Sequence, residues 1–181
     1  IKLAEEAGEI LSLENLFIEK ALANVGELKP SQKLFMNLHP LSLRNANFAP
    51  EQTRKLVNKY GLEPENVVIE ITEQDIHKDI NHLLRQVDDY RHQGFLVAVD
   101  DVGAGNSSLR ALSQIRPDFI KADVSMVRKV DSNPLKRVMI ETLVLLAEKF
   151  GGRVIAEGIE SSTELSSLVS MGVQAGQGYY I

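Results

Sequence analysis

Six short apolar runs recur along the 181-residue chain, and each carries a polar residue at or near its end: Asn37, Glu70, Asp100, Lys121, Glu157 and Gln177. Their separations of 33, 30, 21, 36 and 20 residues are those of successive strand-helix units, the alternation expected of a parallel α/β domain. Side-chain parity adds a second constraint. Glu70 alternates with Val68, Asp100 with Ala98, Lys121 with Phe119 and Glu157 with Ile155, so each polar group shares one strand face with an apolar neighbour. In a (β/α)₈ barrel that face is the interior, and catalytic groups gather at its carboxyl-terminal mouth. One such acid is readily a satisfied core carboxylate; a row of them is not.

The stretch from Phe95 to Leu109 concentrates the chemistry. Its β-branched start predicts a strand over 95–100, buried on both faces and ending on the adjacent acids Asp100 and Asp101 before a Gly-x-Gly turn. Adjacent carboxylates repel one another and are costly to desolvate, which favours a bound cation. Asp-x-Gly is also ordinary turn chemistry, so this stretch by itself leaves a metal site and a plain turn both open.

Further strands are expected at 34–38, 67–72, 119–123, 153–158 and 174–181. The intervening helices are expected at 13–24, with Leu13, Leu16, Phe17 and Ala21 on one face, and at about 50–60, 79–92 and 134–150. Residues 1–8 read as the end of a helix capped by Gly8, so the chain is expected to begin in mid-fold. Ser161-Ser-Thr-Glu164 has the spacing of a capping box, which makes Glu164 structural. His39, His77, His82 and His92 lack metal-ligand spacing and read as surface residues, as do Asp88 and Asp89. Tyr179 and Tyr180 read as core and wall, and Asp123 as a partner of Lys121 or a further pocket residue.

Composition narrows the function. A net charge of −5 argues against a nucleic-acid polymer as partner. No apolar stretch approaches the length of a membrane span, and membrane contact by this domain is not expected. Without cysteine, any metal must sit on oxygen or imidazole ligands and be hard, such as Mg²⁺ or Mn²⁺. A cytoplasmic location fits all of this.

Taken together, Asn37 in Met-Asn-Leu-His, Glu70 and Glu73 in Glu-Ile-Thr-Glu, Asp100-Asp101 in Asp-Asp-Val-Gly-Ala-Gly, Lys121 in Ile-Lys-Ala-Asp, Glu157 and Glu160 in Ala-Glu-Gly-Ile-Glu, and Gln177 in Gln-Gly-Tyr closely resemble the EAL-domain cyclic di-GMP phosphodiesterases. The resemblance runs along nearly the whole chain. It implies a TIM-like (β/α)₈ barrel of about 250 residues, with about six of its eight strands in this chain, as one domain over 1–181 cut short at both ends. It also implies hydrolysis of cyclic di-GMP to linear pGpG with two Mg²⁺ or Mn²⁺ ions. Carried over by position, Asn37, Glu70 and Asp100 ligate the first ion, and Asp100 bridges to the second with Asp101 and Glu157 close by. Lys121 orients or deprotonates the attacking water, Glu73 holds the loop after Asp101, Gln177 lines the pocket, and Glu160 stands behind the site or at the substrate. Family members commonly form homodimers and are joined to sensor or cyclase domains.

Two departures qualify the resemblance. The namesake Glu-Ala-Leu segment, with its metal-binding Glu and a nearby Arg, is expected before Ile1. Val102, Ala104 and Asn106 stand where the family usually has Phe, Thr and Tyr, which weakens the expected coupling of this loop to a dimer partner. Two alternatives remain: an inactive EAL-type cyclic di-GMP receptor, and an unrelated Mg-dependent barrel enzyme of the enolase type.

Overall fold

The computed structural model describes residues 3, 8–38, 49–72, 80–104 and 109–181. Its contacts fall into two compact units, Ile1–Ile71 with Arg85–Leu96 and Thr72–Leu84 with Val97–Ile181. The proposed helix end over 1–7, as well as Glu73, His39 and His77, lies wholly or largely outside the described residues.

In the first unit, α1 (Ile10–Val25) precedes β1 (Leu34–Asn37), α2 (Pro50–Lys59) and, after a 3₁₀ turn at Pro64–Asn66, β2 (Val67–Thr72). Pro50 fits the start of α2, where a missing N–H costs nothing. β1 and β2 run parallel with Asn37 opposite Glu70, so these two side chains stand on one sheet face. Ile18, Leu22, Met36, Val57, Val67, Ile69, Tyr90 and Phe95 form the core of this unit. Tyr90 and Phe95 meet edge to face with ring centroids 5.5 Å apart, a contact worth about 1 kcal/mol beyond its area.

The buried face of α1 is not the expected one. Ile10, Glu14, Ile18 and Leu22 point inward, while Leu16 and Phe17 are about half exposed. The helix carries apolar residues on two faces, and periodicity cannot say which one finds a partner. The inward face brings Glu14 with it, and this carboxylate lies near Tyr90. Burial, opposed by a hydrogen bond with Thr53 and reinforced by Glu14, pushes the Tyr90 phenol up to about 12.

α3 (Ile80–His92) buries Leu83, Val87 and Tyr90 and leaves Asp88 and Asp89 exposed, as its periodicity predicts. His82 is half-buried rather than on the surface.

The second unit contains β3 (Leu96–Val102, from Val97 onward), α4 (Leu109–Ile115), β4 (Phe119–Ala122), α5 (Val124–Val127), α6 (Pro134–Phe150), β5 (Arg153–Ala156), α7 (Ser162–Ser170) and β6 (Ala175–Gly176). The pairs β3–β4, β4–β5 and β5–β6 are all parallel. α6 packs on β4 and β5 through Ile140, Leu143, Val144 and Ala147. It begins with Asn133 accepting the N–H groups of Leu135 and Lys136, and it ends at Gly151 in the left-handed conformation. No helix among the described residues is long and apolar enough to cross a membrane.

β1 and β4 each end one residue short of expectation, and the ends of β3, β5 and β6 differ by more. β3 runs two residues past Asp100, whereas β5 stops at Ala156 and β6 is only Ala175–Gly176. Glu157 and Gln177 therefore follow their strands, held by backbone bonds from Glu157 N–H to Ala122 and from Gln177 N–H to Ala156. Tyr179 is 98% exposed and Tyr180 49%, so neither forms core in these residues.

Candidate metal centre

β3 is irregular where its acids stand. Val99 pairs with Ile120 and Val102 with Ala122, so β3 spends one more residue than β4 over this step. That extra residue makes a bulge, and within it Asp101 takes a left-handed φ of 57°. On a regular strand, neighbouring side chains point to opposite faces. Here an oxygen of Asp100, one of Asp101 and one of Glu157 all lie within 4.8 Å of one another. The expected strand end at Asp100 is thus corrected to a bulge that gathers two adjacent acids at one place. Asp is among the few residues that tolerate this backbone conformation.

Lys121 projects from β4 into the acids. Its Nζ lies 3.0 Å from Asp100 Oδ2 and 2.9 Å from Glu157 Oε1, with all three side chains largely buried. Gln177 Nε2 donates to the same Glu157 oxygen at 2.7 Å, and Asp101 N–H donates to Asp100 Oδ1 at 2.9 Å. At about 4.8 Å and an effective dielectric near 20, each like-charged pair costs about 3 kcal/mol, so one ammonium offsets the repulsion but not the desolvation. Burial accordingly leads in pushing the Glu157 carboxyl above its usual range. The Lys121 hydrogen bond opposes the shift, and Asp100 and Asp101 add to it.

The other expected residues are placed as follows. Asn37 and Glu70 stand side by side in the first unit, Asn37 exposed and Glu70 only 3% exposed. The ion pairs of Lys121 are with Asp100 and Glu157, and Asp123 is engaged locally instead. It is the N-cap of α5, accepting the Ser125 N–H at 2.8 Å. Glu160 is exposed and paired with Arg128, a partner that sequence spacing gave no means to find. The bulge left one trace in the sequence: Val102, which is buried, follows two polar residues and breaks the period of two.

Comparison with known proteins identifies the family. A family model for the EAL domain matches residues 1–181. The cyclic di-GMP phosphodiesterase RocR of Pseudomonas aeruginosa is 31% identical over 166 residues, covering 92% of this chain and 41% of that protein. The cyclic di-GMP phosphodiesterase PdeF of Escherichia coli is 28% identical over 184 residues, covering 100% of this chain and 24% of that protein. Among solved structures, BlrP1 of Klebsiella pneumoniae in a calcium and cyclic di-GMP complex matches with a TM-score of 0.88 at 30% identity. That match covers 96% of this chain and 44% of the other. The chain spans less than half the length of each of these proteins. The fold match bears out the α/β, TIM-type class read from the sequence, and with the family model covering every residue, the chain belongs to the EAL domain family.

Proposed function

We propose that this chain hydrolyses one phosphodiester bond of cyclic di-GMP to give linear pGpG, using two divalent ions, Mg²⁺ or Mn²⁺. The observation that carries the reading is the cluster of Asp100, Asp101 and Glu157 with Lys121 and Gln177. Its donor set fits the ions: all three possible ligands are carboxylate oxygens, the chemistry that hard cations take. When bound, such ions activate water and stabilise the attacking and leaving oxygens of an in-line displacement.

The residues divide the remaining work. Asp100, Asp101 and Glu157 would hold one ion, and on the strength of the motifs alone Asn37, Glu70 and Asp100 are assigned to the other. Lys121 Nζ would orient the attacking water or take its proton, and its charge would offset the charge building on phosphate. Gln177 fixes one oxygen of Glu157 and so leaves the other to face an ion. Glu73 supporting the loop after Asp101 and Glu160 acting near the substrate belong to the same reading, on the strength of the motifs alone. So do a homodimer, attached sensor or cyclase domains, and action in the cytoplasm.

The test is incubation of the protein with cyclic di-GMP and Mg²⁺ or Mn²⁺, with pGpG followed by chromatography. The reading expects pGpG, reduced at least about 100-fold in both Glu70→Ala and Lys121→Ala. Saturable binding without product would mean a receptor. Neither binding nor product would return the chain to other metal-dependent barrel chemistry.

A further inference from the structure

Glu164 is only 4% exposed, and its carboxylate reaches beyond its own helix. Ser161 Oγ accepts the Glu164 N–H at 3.2 Å, as a capping box requires. The carboxylate itself accepts the Glu160 N–H at 3.0 Å and the N–H of Lys129, 35 residues away in sequence, at 2.8 Å. These two amides belong to the segments that follow β5 and β4, the strands leading to Glu157 and carrying Lys121. Within the ladder, the bond from Glu157 N–H to Ala122 already joins the two segments at 3.0 Å. Farther out, the Glu164 carboxylate joins them again, with the Arg128–Glu160 pair on the exposed side.

The contact is demanding at both ends. Lys129 holds a left-handed φ of 60°, a conformation that side chains larger than Asn or Asp seldom adopt without support. The Glu160 segment has little freedom of its own: Ile159 exchanges backbone bonds with Gln177 and Tyr180, and a Cβ on Gly178 would lie 2.2 Å from Ile159 O. A shift of either segment is therefore transmitted toward Glu157 and Gln177. Burial alone would raise the Glu164 carboxyl. The N–H groups of Lys129 and Glu160 and the Ser161 hydroxyl outweigh it and hold the group below the usual carboxylate range.

We propose that Glu164 is a positioning residue for the hydrolysis. It is a buried carboxylate clasp that locks the segment after β5 to the turn after α5 and so fixes Lys121 against Glu157. The inference rests on the hydrolase reading above. A misplacement of the order of 1 Å at a catalytic group costs about 100-fold in rate, so a clasp with no contact to substrate can still govern turnover.

The test compares Glu164→Ala and Glu164→Gln with the wild type, each corrected for its folded fraction by urea titration. Glu164→Ala is expected to lower kcat about 10- to 100-fold with KM changed less than about threefold. Glu164→Gln keeps one acceptor and sets an NH₂ against the other amide, so it should fall between the two. It also serves as the informative variant if the alanine variant does not fold. The second readout is the ¹⁵Nζ resonance of Lys121, which reports its pairing with Asp100 and Glu157 and is expected to shift in both variants. Wild-type kcat per folded molecule together with an unmoved Lys121 resonance would overturn the clasp and leave Glu164 a helix cap. If the wild type itself yields no pGpG, the hydrolase reading fails separately, and the Lys121 resonance alone decides whether Glu164 positions the pair.

Discussion

β2 and β3 both deliver acid groups near their carboxyl ends, and they do so by different means. β2 is regular: Glu70 stands opposite Asn37, and one strand contributes one buried carboxylate. β3 is bulged and contributes two, Asp100 and Asp101, which a period of two would have sent to opposite faces. The regular strand can tolerate its single acid. The bulged one brings two acids beside Glu157 and needs a cation, which Lys121 supplies from the neighbouring strand. Crowded charge is thus a property of the bulge, and it is the feature on which the proposed metal site rests.

The largest test of this contrast removes the cation. Lys121→Met leaves Asp100 and Glu157 without their ammonium, and the metal-free protein should lose about 3 kcal/mol in urea titration. Added Mn²⁺ should recover part of the loss, because it binds the folded state. A Lys121→Met protein as stable as the wild type would mean that the acids are not crowded.

A backbone test follows. Val at position 101 should be about 1–2 kcal/mol less stable than Gly there, since only Gly takes the left-handed conformation without strain. At Glu70, where the strand is regular, the order should reverse, with Gly about 1 kcal/mol worse than Val. Both members of each pair lack the charge, so the reversal isolates the bulge. The same order at both positions would remove the distinction between the strands.

The smallest effect is electrostatic. The Glu157 carboxyl is raised in the folded state, so its contribution to stability is full below its unfolded range and is lost as pH climbs through the folded value. Glu157→Gln should therefore gain on the metal-free wild type as pH rises from about 4 to 7 in thermal melts. A constant difference across that range would contradict the raised carboxyl.

The strand-helix alternation and the polar strand ends were legible because they depend on local periodicity and spacing. Asn37, Glu70, Asp100, Lys121, Glu157 and Gln177 all stand within two residues of the carboxyl end of a strand. What was not legible depends on pairing between distant segments. The β3 bulge exists only relative to β4, the inward face of α1 only relative to its core, and the second partner of Glu164 lies 35 residues away. Asp123 shows a different limit, a local one. Its parity matched that of Lys121, but a local bond to Ser125 claimed its side chain.

The most direct measurement is anomalous diffraction from a crystal of the protein grown with Mn²⁺ and cyclic di-GMP. The account predicts manganese peaks bounded by the carboxylates of Asp100, Asp101 and Glu157, with the nucleotide phosphate beside them. Cyclic di-GMP bound with no manganese at those three carboxylates would contradict it.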